Sequence, residues 1–270
     1  MKVLYLGDIV GRAARSAVCQ KLPMLRERLK LDFIIVNGEN AAGGFGITPE
    51  ICEDLFLAGA DCLVTGNHAF DKREIMTLMN AEPRLLRPAN YPPQTPGSGV
   101  GSYEVAGGRR AVVIQVMGRL FMDPLDCPFA AASAAVENLR LGRDAQFVLL
   151  DVHAEATSEK MAMGHFMDGR VSAVIGTHTH VPTADLQLLP GGTAYQTDIG
   201  MCGDYNSVIG MDPAEPLQRF TRKIGGQRLE PAMGEPTLCG VYVETDDRNG
   251  LPLRIAPLRH GGRLEQRWPV

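Results

Sequence analysis

Five short apolar runs in this chain each end in a group able to hold a metal ion. Leu4-Tyr5-Leu6-Gly7 runs into Asp8, Phe33-Ile34-Ile35-Val36-Asn37-Gly38 into Glu39 and Asn40, and Leu63-Val64-Thr65-Gly66 into Asn67 and His68. Phe147-Val148-Leu149-Leu150-Asp151-Val152 runs into His153, and Val174-Ile175-Gly176-Thr177 into His178-Thr179-His180. Four of the six histidines lie at these places. Asp8, Glu39, Asn40, Asn67, His153, His178 and His180 make seven oxygen or nitrogen ligands. A single zinc takes three or four protein ligands, so seven suit two ions sharing a carboxylate. Ions about 3.5–4 Å apart serve in-line displacement at phosphorus, and a water bridging them is a competent nucleophile near neutral pH. With no cysteine in the set, the donors favour Mn, Fe, Mg or Zn over soft-metal chemistry. In a strictly extended segment His178 and His180 point the same way, so an irregular residue there would aim them at different ions.

Each residue also has a plainer reading. A lone buried histidine such as His153 is more often structural, and Asp8 could cap a helix after the first strand. Asn40 and Asn67 could be turn residues that tolerate left-handed backbone. Glu39 has the weakest alternative, because an acid directly after an apolar run needs a strong partner near the core. His68 follows a ligand directly and belongs at the edge of the site without binding metal. Asp71 could orient His68, but with Glu74 it fits a capping box, and the cap is the preferred reading. Gly43-Gly44-Phe45-Gly46 lacks the Lys and Ser/Thr of a phosphate-binding P-loop and reads as a mobile loop at the rim. Arg12 and Arg15 read as exposed helix positions, His165 as a solvated or capping residue, and His260 carries no site signal.

The elements that must position these groups alternate strand and helix in the first half, as in βα units. Strands are expected at about 2–7, 32–37 and 61–65. Helices are expected at about 12–30, from Thr48-Pro49 (Thr48 as N-cap, Pro49 in the first turn) and from Asp71. A long Pro- and Gly-rich loop covers 83–103, a hairpin 101–117, an Ala-rich helix about 129–141 and a further helix about 156–166. After His180 come strand-like pieces without long helices, at 185–189, 193–197, 238–243 and 253–257. The expected fold is one α/β domain over 1–270, a two-sheet sandwich whose second half is richer in antiparallel strands. In open α/β sheets ligands bind at the carboxyl ends of the strands, where all five runs deliver their polar groups.

The 270 residues are 45% apolar and 21% charged, ordinary values for a globular domain with a sizeable core. A net charge of −4 leaves no footprint for duplex nucleic acid, which needs clustered Lys and Arg. No apolar run approaches the roughly 18–20 residues that span a bilayer. The strand-like start reads as the first strand and not as a signal peptide. The six cysteines form no C-x-x-C pair and read as reduced thiols in a cytoplasm.

Gly7-Asp8, Gly66-Asn67-His68, His153 and Gly176-Thr177-His178-Thr179-His180 resemble the calcineurin-like metallophosphoesterases. Gly7-Asp8-Ile9-Val10-Gly11, Asn37-Gly38-Glu39-Asn40-Ala41, Gly66 through Asp71, His153 through Lys160 and Gly176 through Asp185 are similar to the bacterial YmdB-type phosphodiesterases. The resemblance spans residues 1 to about 212. It implies the calcineurin-like sandwich of two mixed β-sheets flanked by helices, and a cytoplasmic, metal-dependent phosphodiesterase. Two departures from the wider superfamily stand out: Val10 replaces a metal-binding His, and Glu39 replaces the bridging Asp. In this branch the adjacent Asn fills the vacancy, which is Asn40 here. The resemblance then implies that Asp8, Glu39, Asn40 and His180 hold one ion and Glu39, Asn67, His153 and His178 the other. It implies Fe or Mn, with Mg or Zn as alternatives, and His68 as proton donor to the leaving oxygen. The implied substrates are small phosphodiesters, cyclic nucleotides above all (2′,3′-cyclic forms, and 3′,5′-cyclic ones as a further class). The alternatives are phosphomonoesters or short RNA ends as substrates, or a regulatory protein that keeps metal for stability and acts through partners. Homo-oligomer formation is left open.

Overall fold

Alternate residues of a strand face opposite sides of its sheet, and in this chain both sides are apolar. In β1 (Lys2–Leu6) Val3 and Tyr5 face one core while Leu4 and Leu6 face another, and β2 (Phe33–Asn37) repeats the pattern with Phe33 and Ile35 against Ile34 and Val36. Strands of this kind must be covered on both faces. The structure, a computed structural model, describes residues 1–269. Val270, the last residue of the expected domain, lies outside the described residues.

Between the first two strands runs α1 (Gly11–Leu29), and α2 (Pro49–Leu57), β3 (Cys62–Val64), α3 (Ile75–Ala81) and β4 (Leu85–Leu86) follow. Thr48 caps α2 as expected, its Oγ1 accepting the Ile51 N–H at 3.3 Å. Then come β5 (Val100–Val105), β6 (Arg109–Met117), α4 (Pro128–Val136), β7 (Phe147–His153), α5 (Thr157–Met167) and β8 (Ala173–Thr177). The chain continues with β9 (Gln187–Leu188), β10 (Ala194–Gln196), α6 (Ala214–Arg222), β11 (Leu238–Thr245) and β12 (Pro252–His260). One six-stranded sheet has the order β12-β11-β1-β2-β3-β4 and the other β5-β6-β7-β8-β10-β9.

Three apolar clusters separate four layers. The inner faces of the two sheets meet through Tyr5, Ile35, Val64, Val113, Leu149 and Ile175. Helices α1, α2 and α3 cover the outer face of the first sheet, and α4 and α5 that of the second. This is the calcineurin-like α/β sandwich of two mixed sheets. Parallel pairing runs from β1 to the edge strand β4 in the first sheet and through β6, β7, β8 and β10 in the second, while antiparallel pairing lies at β11–β12, β5 and β9. The second half is the richer in antiparallel strands, as expected, with β9, β11 and β12 against β5 alone in the first.

Four elements differ from expectation, the first being β4, a two-residue strand inside the expected 83–103 loop. The helix expected from Asp71 begins at Ile75, with no side-chain cap. The Ala-rich helix stops at Val136, and the short helix α6 lies between the strand-like pieces at 193–197 and 238–243, where no element is expected. Among the described residues no helix is long and apolar enough to cross a membrane, and all six cysteines are unpaired.

Candidate metal centre

The carboxyl ends of the parallel strands of both sheets open onto one place. The first sheet contributes Asp8 after β1, Glu39 and Asn40 after β2, and Asn67 and His68 after β3. The second contributes His153, the last residue of β7, and His178 and His180 after β8. Asp8, Glu39, Asn40, His153 and His180 are buried, whereas Asn67, His68 and His178 are partly open to solvent. Ligand atoms of Glu39, His153 and His178 lie within 4.8 Å of one another, and so do those of Asp8, Glu39 and His180, so that Glu39 belongs to both groups.

Hydrogen bonds set which atoms face inward. Thr177 Oγ1 donates to Asp151 Oδ1 (2.8 Å) and so accepts from His153 Nδ1 (2.9 Å). That leaves the Nε2 lone pair of His153 pointing into the site. Around it stand Asn67 Oδ1 at 3.0 Å, His178 Nδ1 at 3.2 Å and Glu39 Oε1 at 3.2 Å. His178 turns its Nε2 outward to Glu155 Oε2, 3.2 Å away. Four acceptors thus converge with no donor of their own, an arrangement that calls for a cation. On the other side, His180 Nδ1 donates to the Ile209 carbonyl (2.8 Å), and the Asn40 Nδ2 donates to the Gly44 carbonyl (3.0 Å). Both bonds turn the remaining ligand atom inward, as outer partners of metal ligands do. Asn40 Oδ1 and Asp8 Oδ1 are buried without a partner.

The electrostatics show the same demand for positive charge, which a second proton on His153 can also meet. Burial alone would lower the pKa of His153, but Glu39, Asp8 and Asp151 outweigh it and raise it to about 9. Burial would raise Glu39, yet His153, His68 and His178 hold it down at about 2. Burial and the neighbouring His153 push His178 to about 3. Asp8 is raised by burial against the pull of His180 and His153. Buried acids pulled in opposite directions mark a site short of positive charge.

Gly66 shows how tightly the space is reserved. A Cβ there would run into Glu39 Oε2 and His153 Nε2. A Gly66→Ala chain should lose about 10–100-fold in metal affinity, the usual cost of disturbing the groups that orient a ligand. Titration of metal-stripped protein with Mn would measure it, and unchanged affinity would refute this reading of the space.

His178 and His180 both adopt left-handed backbone, with φ of 91° and 66°. The irregularity needed to separate the two rings thus falls on both histidines, at a cost of about 1–3 kcal/mol for each such residue. Asp198 holds the segment: its Oδ2 accepts from Thr179 N (3.0 Å) and Oγ1 (2.7 Å), and its Oδ1 from Gly200 N (2.8 Å). Lys160 Nζ lies 2.9 Å from Asp198 Oδ2, with both side chains buried. Tyr205 adds a hydrogen bond from its hydroxyl to the His180 carbonyl (3.1 Å).

His68 lies beside the two groups. Its backbone N–H points at Glu39 Oε2 (3.4 Å), Phe45 stands edge-on to its ring at 5.1 Å, and Asp71 Oδ2 is 2.8 Å from its Nδ1. This corrects the preferred reading of Asp71. Its carboxylate is committed to His68, and the helix starts four residues later. The 43–46 loop borders the site, and Gly44 anchors Asn40. Arg12 and His165 are exposed, Arg15 reaches the Ala41 carbonyl (3.5 Å), and His260 packs on Trp268.

The roles of Asp151, Thr177, Lys160, Asp198, Tyr205 and Glu155 escaped the sequence reading. Asp151 carried a signal, as an acid inside an apolar strand and on the face of His153 two residues on. Asp198 and Tyr205 carried none, because each meets its partners through long-range contacts.

A family model for YmdB-like proteins matches residues 4–258. The 2′,3′-cyclic-nucleotide 2′-phosphodiesterase of Bacillus subtilis (strain 168) is 44% identical over 255 residues, 94% of this chain and 95% of that protein. Among solved structures, a hypothetical protein from Thermus thermophilus superposes with a TM-score of 0.90 at 44% identity, covering 97% of this chain and 100% of that one. A novel phosphatase from Mycoplasma pneumoniae gives 0.89 at 32% identity, covering 97% and 93%.

Proposed function

We infer that this chain, which belongs to the YmdB-like family, is a phosphoric diester hydrolase acting on 2′,3′-cyclic nucleotides at a two-metal centre. The observation that carries the reading is the pair of ligand groups joined by Glu39. Asp8, Glu39, Asn40 and His180 would hold one ion, and Glu39, Asn67, His153 and His178 the other. The unpartnered oxygens of Asp8 and Asn40 support the first assignment, and the converging acceptors around His153 Nε2 the second. Fe or Mn is the preferred pair for this oxygen and nitrogen set, with Mg or Zn as alternatives. The Bacillus subtilis relative's name supports the substrate class. The six unpaired cysteines support work in a reducing cytoplasm.

Bound there, the ions supply positive charge to the phosphoryl oxygens and acidify the attacking water. The chain's own part is orientation and proton delivery. Thr177 and Asp151 fix His153 with Nδ1 protonated, and Glu155 does the same for Nε2 of His178. As water adds to phosphorus and the bond to the 2′ oxygen breaks, His68 gives the Nε2 proton to that oxygen. Asp71 keeps the ring turned through its contact with Nδ1.

Elemental analysis of the purified chain, paired with assays on 2′,3′-cyclic AMP, 3′,5′-cyclic AMP and an aryl phosphodiester, tests the reading. About two metal ions per chain and hydrolysis of 2′,3′-cyclic AMP are expected. Less metal, with no hydrolysis after reconstitution with Mn or Fe, would overturn it.

A further inference from the structure

Next to the His153 strand end the chain makes a short loop that the chemistry above leaves unused. Gly118 N–H bonds the His153 carbonyl at 3.0 Å, and three residues later Phe121 stands 92% exposed. Met117 pairs with His153 on the neighbouring parallel strand, so the loop leaves the same carboxyl-end edge as the site, and Phe121 follows within three residues of Gly118, about 10 Å of chain at most. Phe121 holds a φ of 62°, left-handed backbone that a bulky residue rarely adopts. It packs into none of the apolar clusters of the described residues.

The loop is held in this shape from inside. The buried Glu159 carboxylate of α5 accepts the Arg119 N–H (3.1 Å) and the Leu120 N–H (3.3 Å). Buried Asn90 ties its two ends. Its Oδ1 accepts from Met117 N (2.8 Å), and its Nδ2 donates to the carbonyls of Met117 (2.8 Å) and Asp126 (3.0 Å). A single exposed apolar side chain needs no explanation by itself. An aromatic ring held out by strained backbone, and pinned by two buried polar side chains at the edge of a phosphodiester site, does need one.

We propose that the 118–122 loop is a binding subsite for the base of the nucleotide, with Phe121 as its stacking face. The subsite rests on the phosphodiesterase reading of the centre. An aromatic face accepts any base, because every base presents a π-face. The loop therefore selects nucleotides over base-free diesters and does not distinguish purine from pyrimidine.

The test compares 2′,3′-cyclic AMP with the 2′,3′-cyclic phosphate of 1-O-methylribose, which lacks a base, on the Mn-reconstituted full chain. Phe121→Ala should raise KM for cyclic AMP by about 5–100-fold, the range of one base–aromatic stack. Its kcat, and KM for the base-free diester, should stay unchanged, and Phe121→Trp should restore KM. An unchanged KM for cyclic AMP, or an equal rise for both substrates, overturns the subsite while leaving the phosphodiesterase reading intact. A change of oligomer size with KM unchanged also overturns it and makes Phe121 a contact with a second copy. Hydrolysis of neither substrate by the unsubstituted chain removes both readings.

Discussion

Replacing His68 by Ala should lower turnover of 2′,3′-cyclic AMP by about 10²–10⁴-fold while leaving metal content unchanged. The expectation combines position and hydrogen bonding. His68 adjoins Asn67 and the Glu39 carboxylate, yet its Nδ1 is taken by Asp71. It is partly open to solvent, unlike His153. An imidazole so placed can present a proton at Nε2 without competing for the ions. Leaving-group chemistry separates this role from a structural one. A ribose oxygen departs as a strong base and needs a proton, whereas p-nitrophenolate is stable without one. His68→Ala should therefore impair cyclic AMP hydrolysis far more than hydrolysis of a p-nitrophenyl diester. Asp71→Asn should show the same preference with a smaller loss. Equal losses on the two substrates would sink the proton-donor assignment, whatever their size.

Replacing Asp198 by Ala should destabilise the fold by about 3–5 kcal/mol, because it strands the buried ammonium of Lys160. Asp198 is fully buried and Lys160 is 1% exposed, so solvent cannot take the place of the lost partner. The same change frees Thr179 and Gly200 from their acceptor and leaves the left-handed backbone of His178 and His180 to relax. Stability and metal binding should then fall together. The double variant Asp198→Leu with Lys160→Met separates the two effects. An apolar pair of similar size often replaces a buried ion pair at little or no cost, so calorimetry should show most of the stability restored. Metal affinity should remain low, since Leu cannot accept from Thr179. Full recovery of both would show that Asp198 is a packing element and not a clamp on the two histidines.

How much of this was legible in the sequence depends on how far each interaction reaches along the chain. The seven ligand candidates could be read because each follows directly on its own strand, and an apolar run that ends in a polar group is a local pattern. The two sheets flanked by helices were legible through the family resemblance, and the apolar residues on both faces of β1 and β2 supply the physical reason. Lys160 and Asp198 are 38 residues apart, and nothing local marks them as partners. Asp71 was misassigned because a carboxylate three residues from Glu74 satisfies the pattern of a helix start, and the competing bond to His68 depends on the turn between them. Helix α6 was missed because only Glu215 and Pro216 of its residues are buried. Leu217 and Phe220 face solvent instead, so there was no core-facing stripe to detect.

The division of the centre between the two sheets has a mechanical consequence. Asp8, Glu39, Asn40 and Asn67 belong to strand ends of one sheet, and His153, His178 and His180 to the other. A cation held by both sets ties the layers together at the open end of the sandwich, where apolar contact between the sheets gives way to polar groups. Any sliding of one sheet over the other would pull apart the coordination, and loaded metal would resist that motion as a cross-link does. Chelation should consequently be felt throughout the inter-sheet core, as earlier exchange of amide protons in β1 and β7, and not merely as a loss of rate.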